Sequence, residues 1–188
     1  MTSTLPDRFT PAIEQIRQWH GAQQRKYSFE PYWTHPVTVA EVIQPHLPED
    51  EAILAALFHD VVEDTVFGPD HIYDFLRSHY GQVDAVLVTD TVMDLTNRYE
   101  KDHCPGLNRA ERHRLETLRL SRISPFAQSI KYGDIFHNCR SIQQFAPDYA
   151  RIYLAEKRAI LDVMDQGHPR LRQQVIALVG ADLHESLC

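Results

Sequence analysis

Apolar residues recur at three- and four-residue spacings along almost the whole chain, which is the period of an amphipathic helix. No stretch alternates apolar and polar residues as a half-buried strand does. Proline and glycine divide the pattern into segments. We therefore predict an all-α fold, a single bundle of about eight or nine helices. The predicted helices cover residues 10–21, 34–46, 69–79, 82–95, 108–122, 125–143, 147–166 and 169–183, and a further helix opens at Pro48 and carries the apolar run 52–58.

The length of the chain, 188 residues, is typical of a single domain. No internal repeat or long linker marks a domain boundary. We expect one helical domain over residues 1–188, with its core in residues 9–166 and with the helix at 169–183 packed on that core. The segment 96–107 contains Asn97, Pro105 and Gly106, so it is predicted to be an exposed loop.

Composition limits the possible partners and the compartment. The formal net charge of -7 disfavours binding to a nucleic acid polymer, because phosphate contacts need clustered Lys and Arg. The three cysteines are widely spaced, so we expect reduced thiols. No signal-like segment or membrane-length apolar run is present, which favours a cytoplasmic protein with no membrane contact. The sequence leaves the oligomeric state open.

The segment Leu57–Thr65 holds four ionisable side chains close together, which makes it the first candidate for a functional site. The preceding helix is apolar on every side over residues 52–58, which indicates a buried helix and places His59 and Asp60 near the core. A buried aspartate is costly unless it is paired or bound to a cation. Glu63 and Asp64 follow one turn later. On this segment alone, a buried His–Asp pair with a solvated helix end remains as good an interpretation as a metal site.

Two further segments favour the metal site. Lys131, Asp134 and Asn138 share one helix face, although an internal Lys–Asp contact would also explain that pattern. His35 lies at the first turn of a helix, where a lone histidine is more often a surface residue. Together with His59 and Asp60, these segments supply two imidazoles and two carboxylates. Such a set balances a divalent cation and suits Mn²⁺, Fe²⁺, Zn²⁺ or Mg²⁺.

The order of these blocks resembles a known superfamily. His35, His59-Asp60 and Asp134 match the pattern of the HD metal-dependent phosphohydrolases. The fuller blocks resemble the hydrolase domain of the RelA/SpoT family, and its stand-alone small alarmone hydrolases and metazoan SpoT homologues are most similar. The resemblance covers about residues 9–142. The blocks are Arg25-Lys26, Pro31-Tyr32, His35-Pro36, the run from His59 to Thr65, and Lys131-x-x-Asp134-x-x-x-Asn138.

The resemblance implies a function. The family hydrolyses the 3′-pyrophosphate of ppGpp and pppGpp, usually with Mn²⁺, so the expected partner is a small anionic nucleotide. The implied metal ligands are His35, His59, Asp60 and Asp134. Glu63 and Asp64 would be the catalytic pair that positions water and handles its proton. The implied substrate-binding residues are Arg25, Lys26, Arg109 and Asn138.

One departure from the family pattern leaves alternatives open. The usual Asp-Arg-x-His-Asn reads Asp134-Ile135-Phe136-His137-Asn138 here, so isoleucine replaces an arginine. The substrate could instead be a deoxynucleoside monophosphate or the 2′-phosphate of NADPH. A metal-bound module that senses a nucleotide without turnover is a third hypothesis. The chain has no room for the synthetase and regulatory domains of long RelA/SpoT proteins, so we expect hydrolysis only.

Overall fold

The computed structural model describes residues 3–185 and the side chains of residues 3–180. Within that range the chain forms helices and no strand, and a single antiparallel bridge joins Gln24 to Pro31. The all-α prediction is confirmed. After a 3-10 turn at Asp7–Phe9, the helices are α1 (Thr10–His20), α2 (Thr34–Ile43), α3 (Asp50–Phe58), α4 (Val61–Asp64), α5 (Pro69–His79), α6 (Ala85–Leu95), α7 (Arg109–Leu120), α8 (Pro125–Phe145), α9 (Pro147–Val163) and α10 (Pro169–Glu185).

Helix boundaries follow the local capping chemistry. α5 spans the predicted residues, and Pro69 lies in its first turn. α6 begins three residues later than predicted, because the Asp84 side chain accepts a hydrogen bond from the Leu87 amide at 3.0 Å and so caps the helix. α2 was predicted to reach residue 46 but ends at Ile43, whose carbonyl accepts from the amides of His46 and Leu47 in a closing turn.

The chain divides into two compact units, with the boundary between Thr96 and Asn97. In the first unit α3 contacts α1, α2 and α6. All seven residues from Ala52 to Phe58 are fully buried, which confirms that α3 is a buried helix. The prediction that the whole chain is one HD domain stays a prediction.

The second unit is built on α8, the longest helix at 21 residues. α9 and α10 pack against α8, and α7 packs against α9. The predicted cap at Ser124 is confirmed, since its hydroxyl accepts from the Ala127 amide at 3.1 Å. α9, which packs against α8, was predicted to reach residue 166 but ends at Val163. The next carbonyl, that of Met164, accepts a hydrogen bond from the Tyr132 hydroxyl at 2.6 Å.

Two further predictions concern thiols and membranes. Cys104 and Cys139 are free thiols as expected, and Cys188 lies outside the described residues. None of the helices in residues 3–185 combines the length and the hydrophobicity that a membrane span requires.

Candidate metal centre

The candidate centre in the first unit lies where α3 stops. α3 ends at Phe58, and a new single turn, α4, begins at Val61. The carbonyl of Ala56, which a continued helix would use for the Asp60 amide, accepts from His59 Nδ1 at 2.7 Å instead. We had expected one uninterrupted helix through Asp64. The interruption keeps Asp64 one turn beyond Asp60, since the Asp64 amide donates to the Asp60 carbonyl at 2.9 Å.

His35 and His59 converge on the carboxylate of Asp60. His35 Nε2 lies 3.3 Å from Asp60 Oδ2, and His59 Nε2 lies 3.1 Å from Asp60 Oδ1. The two imidazole ring centres are 5.2 Å apart. Both histidines are buried, whereas the Asp60 side chain keeps 14% of its surface exposed. Three of the four predicted metal ligands are therefore gathered at one place within this unit.

The donor chemistry of this cluster fits a divalent cation. The hydrogen bond to the Ala56 carbonyl requires His59 Nδ1 to carry a proton. In the neutral ring, His59 Nε2 then directs a lone pair towards the Asp60 carboxylate, an arrangement that favours a cation between them. A histidine ligand whose second nitrogen donates to a backbone carbonyl is the usual arrangement at protein metal sites.

Tyr32 is a site residue to which the sequence analysis assigned no role. Its hydroxyl donates to Asp60 Oδ2 at 2.8 Å. Its ring stacks on His20 with centres 4.9 Å apart, and it meets His35 edge-on at 5.9 Å. Burial raises the pKa of Tyr32, and the charges of Asp60 and Asp64 raise it further. The phenol thus stays protonated and holds the Asp60 carboxylate in position.

His20 is a second residue that the sequence analysis missed. It is 5% exposed, and its Nδ1 lies 2.8 Å from Gln23 Oε1. Burial lowers the pKa of His20, against the opposing effects of the Gln23 hydrogen bond and the Asp60 charge. The sequence did contain a signal, because Ala12, Ile16 and His20 recur every four residues on the buried face of α1.

The predicted catalytic pair occupies the single turn of α4. Glu63 and Asp64 are consecutive, and both follow the metal-ligand candidate Asp60 within one turn. Asp64 remains accessible to solvent. Partial desolvation, together with the Asp60 and Glu63 charges, raises its pKa to about 6, against the effect of a hydrogen bond from Tyr32. A carboxylate with this pKa can accept a proton near neutral pH.

Arg25 and Lys26 lie in the loop between α1 and α2. The backbone of Arg25 is fixed by two hydrogen bonds, one to the Glu30 carbonyl and one from the Phe29 amide. The Arg25 guanidinium lies 5.7 Å from the centre of the Tyr32 ring, next to the His–Asp cluster. Lys26 is exposed and lies over the Tyr27 ring instead, at 5.2 Å. Of the two cations, Arg25 is therefore the one that contacts a residue of the candidate centre, namely Tyr32.

The fourth predicted ligand, Asp134, lies on α8 in the second unit. Lys131 Nζ lies 2.9 Å from Asp134 Oδ2, and the Asn138 amide donates to Asp134 Oδ1. The shared face predicted for these three residues is confirmed, and so is the internal Lys–Asp contact. Lys131 and Asp134 are both buried. Ile135, the departure from the family motif, is fully buried in the apolar core.

A pocket of about 510 Å³ lies within the second unit. Arg109 lines it, but its guanidinium is held by Glu156 at 2.7 and 2.9 Å and by the Tyr149 hydroxyl at 2.6 Å. Lys131 and Lys157 also line the pocket. Sequence analysis did not identify Lys157, which lies beyond the segment that carries the resemblance. The loop predicted at 96–107 supplies further lining residues, among them Tyr99 and Lys101.

Comparison with known proteins places this chain in a family. The HD domain family model matches residues 12–124, so the match includes parts of both units. A GTP pyrophosphokinase of Streptomyces coelicolor is 31% identical over 142 residues, which are 76% of this chain and 15% of that protein. The human guanosine-3′,5′-bis(diphosphate) 3′-pyrophosphohydrolase is 31% identical over 130 residues, 67% of this chain and 65% of the human protein. The chain thus spans a small part of its long relatives.

A solved structure shares the fold. It is described as a metazoan orthologue of SpoT that hydrolyses ppGpp and plays a role in starvation responses. The TM-score is 0.75, and the match covers 96% of this chain and 98% of the other at 21% identity. This likeness agrees with the fold that the sequence predicted. Because the family model matches more than half of the residues, the chain belongs to the HD domain family.

Proposed function

We propose that this chain is a metal-dependent 3′-pyrophosphohydrolase of guanosine 3′,5′-bis(diphosphate), acting on ppGpp and pppGpp. The observation that carries the proposal is the convergence of His35 Nε2 and His59 Nε2 on the Asp60 carboxylate. The human relative bears the name of this activity, and the SpoT orthologue is described as hydrolysing ppGpp. The expected partner is accordingly a small anionic nucleotide.

The proposed metal ligands are His35, His59, Asp60 and Asp134. This set draws on both units, and it is proposed from donor chemistry and from the family pattern. Two neutral nitrogens and two anionic oxygens suit Mn²⁺, which we propose as the physiological ion, and also Fe²⁺, Zn²⁺ or Mg²⁺. A divalent ion at such a site lowers the pKa of bound water and offsets charge on phosphoryl oxygens.

Glu63 and Asp64 are the proposed catalytic pair. Water attacks the phosphorus that is bonded to the 3′ oxygen, and the bond between that phosphorus and the 3′ oxygen breaks. Pyrophosphate is released, and the 3′ oxygen takes up a proton to become the 3′ hydroxyl of GDP or GTP. Asp64, with a pKa of about 6, accepts the proton of the attacking water, and Glu63 orients that water. Tyr32 keeps the Asp60 carboxylate fixed while this occurs.

Arg25, Lys26, Arg109 and Asn138 are the proposed substrate-binding residues. The Arg25 and Lys26 charges would offset phosphate charge, and their loop is anchored by the Gln24–Pro31 bridge. Arg109 is already paired with Glu156, so its contribution to phosphate binding requires that it share or leave that carboxylate. Asn138 is the candidate contact to the nucleotide, and its side-chain amide also donates to Asp134.

Ile135 favours a second candidate within the same chemistry. A fully buried isoleucine occupies the position where the family pattern carries an arginine, so the substrate can differ from that of the family. The candidates are a deoxynucleoside monophosphate and the 2′-phosphate of NADPH. Both reactions release orthophosphate, whereas cleavage at the 3′ position of ppGpp releases pyrophosphate.

A nucleotide panel tests the proposal. The purified protein is loaded with Mn²⁺ and incubated with ppGpp, pppGpp, deoxynucleoside monophosphates and NADPH, and the released phosphates are separated by ion-exchange chromatography. The proposal predicts pyrophosphate from ppGpp and pppGpp alone. Orthophosphate from another nucleotide, with ppGpp intact, would support the second candidate instead. Binding of ppGpp without any product would favour a sensing module.

A further inference from the structure

Two exposed apolar side chains lie beside the candidate centre of the first unit. Val66 is 92% exposed and Phe29 is 70% exposed, and these are the two most exposed large apolar side chains that the structure describes. Phe29 precedes Tyr32 by three residues, and Val66 follows Asp64 by two. The Tyr32 and Asp64 side chains share a hydrogen bond, so the two segments meet at the centre. Single apolar residues are common on a surface, but two on segments that meet at a candidate site call for an explanation.

The backbone at Phe29 is strained. Among the described residues, Phe29 is the only one other than glycine with a positive φ, at 59°. Glycine and asparagine adopt this left-handed conformation with less strain than a bulky side chain does. The exposed phenyl ring gains little burial in return, so packing does not explain why a phenylalanine occupies the position. Strain of this kind is typically retained where a site needs a side chain in a defined place.

Hydrogen bonds hold the loop that presents Phe29. The Phe29 amide donates to the Arg25 carbonyl at 3.1 Å, and the Arg25 amide donates to the Glu30 carbonyl at 2.8 Å. The Gln24–Pro31 bridge closes the loop. A fixed loop therefore presents the phenyl ring, which lowers the entropic cost of using that ring to bind a ligand.

The charges of this loop indicate the class of ligand. Arg25 and Lys26, the proposed phosphate-binding residues, belong to the same loop as Phe29. Cations beside an exposed aromatic ring are the combination that binds nucleotides, because the cations meet phosphates while the ring stacks on a base. An inorganic phosphate compound would leave the phenyl ring unused. Two apolar side chains are also far less than the patch that a protein partner usually covers.

We propose that Phe29 stacks on the nucleobase of the substrate and that Val66 contacts the same base. This inference rests on the proposed function, because it takes the substrate to be a nucleotide whose phosphates meet Arg25 and Lys26. The two apolar side chains then contribute affinity for the nucleoside part of the substrate. Stacking on a ring tolerates any base, so these contacts favour a nucleotide over a base-free phosphate compound without selecting guanine.

GMP and ribose 5-phosphate test the proposal, because they differ only in the base. Titration calorimetry on the Mn²⁺-loaded protein measures both dissociation constants. The wild-type chain should bind GMP about tenfold more tightly than ribose 5-phosphate, within the usual contribution of stacking on a base, and Phe29→Ala should remove most of that preference. The KM of Phe29→Ala for ppGpp should rise by about the same factor, with the loss in KM rather than in kcat. Equal affinities of the wild-type chain for the two ligands would overturn the inference.

Further variants separate the phenyl ring from the fold. Phe29→Trp keeps a ring that stacks and should retain the preference for GMP. Phe29→Asn removes the ring but suits the left-handed backbone, so it should melt at no lower temperature than the wild type and still lose the preference. Phe145→Ala removes an exposed ring of the second unit and is the control that should keep it. If Phe29→Asn retained the preference for GMP, the ring would have no role and the inference would be wrong.

Val66→Ala tests the second contact. It removes less apolar area than Phe29→Ala does, so the KM for ppGpp should rise by only about threefold. Val86→Ala, at an exposed position on α6, is the control and should keep the wild-type KM. A wild-type KM in Val66→Ala would overturn the assignment of Val66.

Failure of this inference differs from failure of the proposed function. Hydrolysis of ppGpp with the same KM in the wild type and in Phe29→Ala would overturn the inference and leave the proposed function standing. A Mn²⁺-loaded wild-type chain that neither hydrolyses ppGpp nor binds GMP would overturn both.

Discussion

Asp60 is the residue on which the candidate centre depends. Its carboxylate accepts a hydrogen bond from the Tyr32 hydroxyl at 2.8 Å and lies near the Nε2 atoms of both His35 and His59. The sequence singled out His59 and Asp60 because they follow a buried helix, and the family resemblance added His35. It did not identify Tyr32 as the anchor of Asp60, because that contact joins positions 28 residues apart. Helical periodicity carries no information about such distant pairs.

Asp60→Asn tests the ligand assignment. The change keeps the shape of the side chain and removes its negative charge, so Mn²⁺ affinity should fall by about 100-fold or more, beyond the loss expected for outer-shell changes. Titration calorimetry on the folded variant measures this loss. Asp74→Asn, on the exposed face of α5, is the matched control and should bind Mn²⁺ as the wild type does. Full metal loading in Asp60→Asn would remove Asp60 from the ligand set.

Tyr32→Phe tests the role of the phenol. The variant keeps the stacking with His20 and loses the hydrogen bonds of the hydroxyl to Asp60 Oδ2 and to Asp64. Because partners of metal ligands typically contribute about 10–100-fold to metal affinity, we expect a loss within that range. Tyr73→Phe, at a partly exposed position on α5, is the control. Unchanged Mn²⁺ affinity in Tyr32→Phe would show that Asp60 does not need this anchor.

Glu63→Gln separates chemistry from metal binding. The variant should retain the metal, because Glu63 is outside the proposed ligand set, while turnover of ppGpp falls by about 100-fold, because the attacking water loses the group that orients it. Metal content and turnover are measured on the same preparation. Wild-type turnover would remove Glu63 from the mechanism, and loss of metal would move it into the ligand set.

At the scale of elements, prolines and capping residues fixed most boundaries in advance. Pro69, Pro125, Pro147 and Pro169 each begin a helix where the sequence predicted one. The break between α3 and α4 was not predictable, because no proline or glycine marks it and the backbone of both His59 and Asp60 stays in the right-handed helical region. Only the bond from His59 Nδ1 to the Ala56 carbonyl reveals the interruption.

The joint between α9 and α10 depends on Gly167. A Cβ at this position would lie 2.5 Å from Tyr132 Cε2 and 2.9 Å from the Ser129 amide nitrogen. Tyr132 cannot easily move away, because it is fully buried and its hydroxyl donates to the Met164 carbonyl. The glycine therefore allows the chain to approach α8 closely, and any side chain there must displace backbone.

Gly167→Ala should destabilise the protein by about 1–3 kcal/mol, the usual cost of overpacking a well-packed site. Urea denaturation followed by circular dichroism measures the change. Gly106→Ala is the control, since a Cβ there meets no atom within 4 Å. If both variants unfolded at the same urea concentration as the wild type, the close approach of Gly167 to α8 would be contradicted.

At the scale of the whole molecule, family membership was visible in the sequence, but parts of the second unit were not. Helical spacing predicted the all-α fold, and the HD pattern supplied the candidate site residues up to Asn138. The sequence analysis did not predict that α9 lines the pocket of the second unit. The resemblance fades after about residue 142, and a lysine such as Lys157 is normally expected to be a solvated surface side chain. The net charge of -7 is compatible with an anionic substrate only because cations such as Arg25, Lys131 and Lys157 occur locally.

The most direct test of the central claim is incubation of the Mn²⁺-loaded protein with ppGpp, with and without a chelator, followed by ion-exchange separation of the products. The account predicts GDP and pyrophosphate in equal amounts, with both lost when the chelator removes the metal. Intact ppGpp, with Mn²⁺ verified in place, would contradict the alarmone assignment while leaving the His–Asp centre as a metal site.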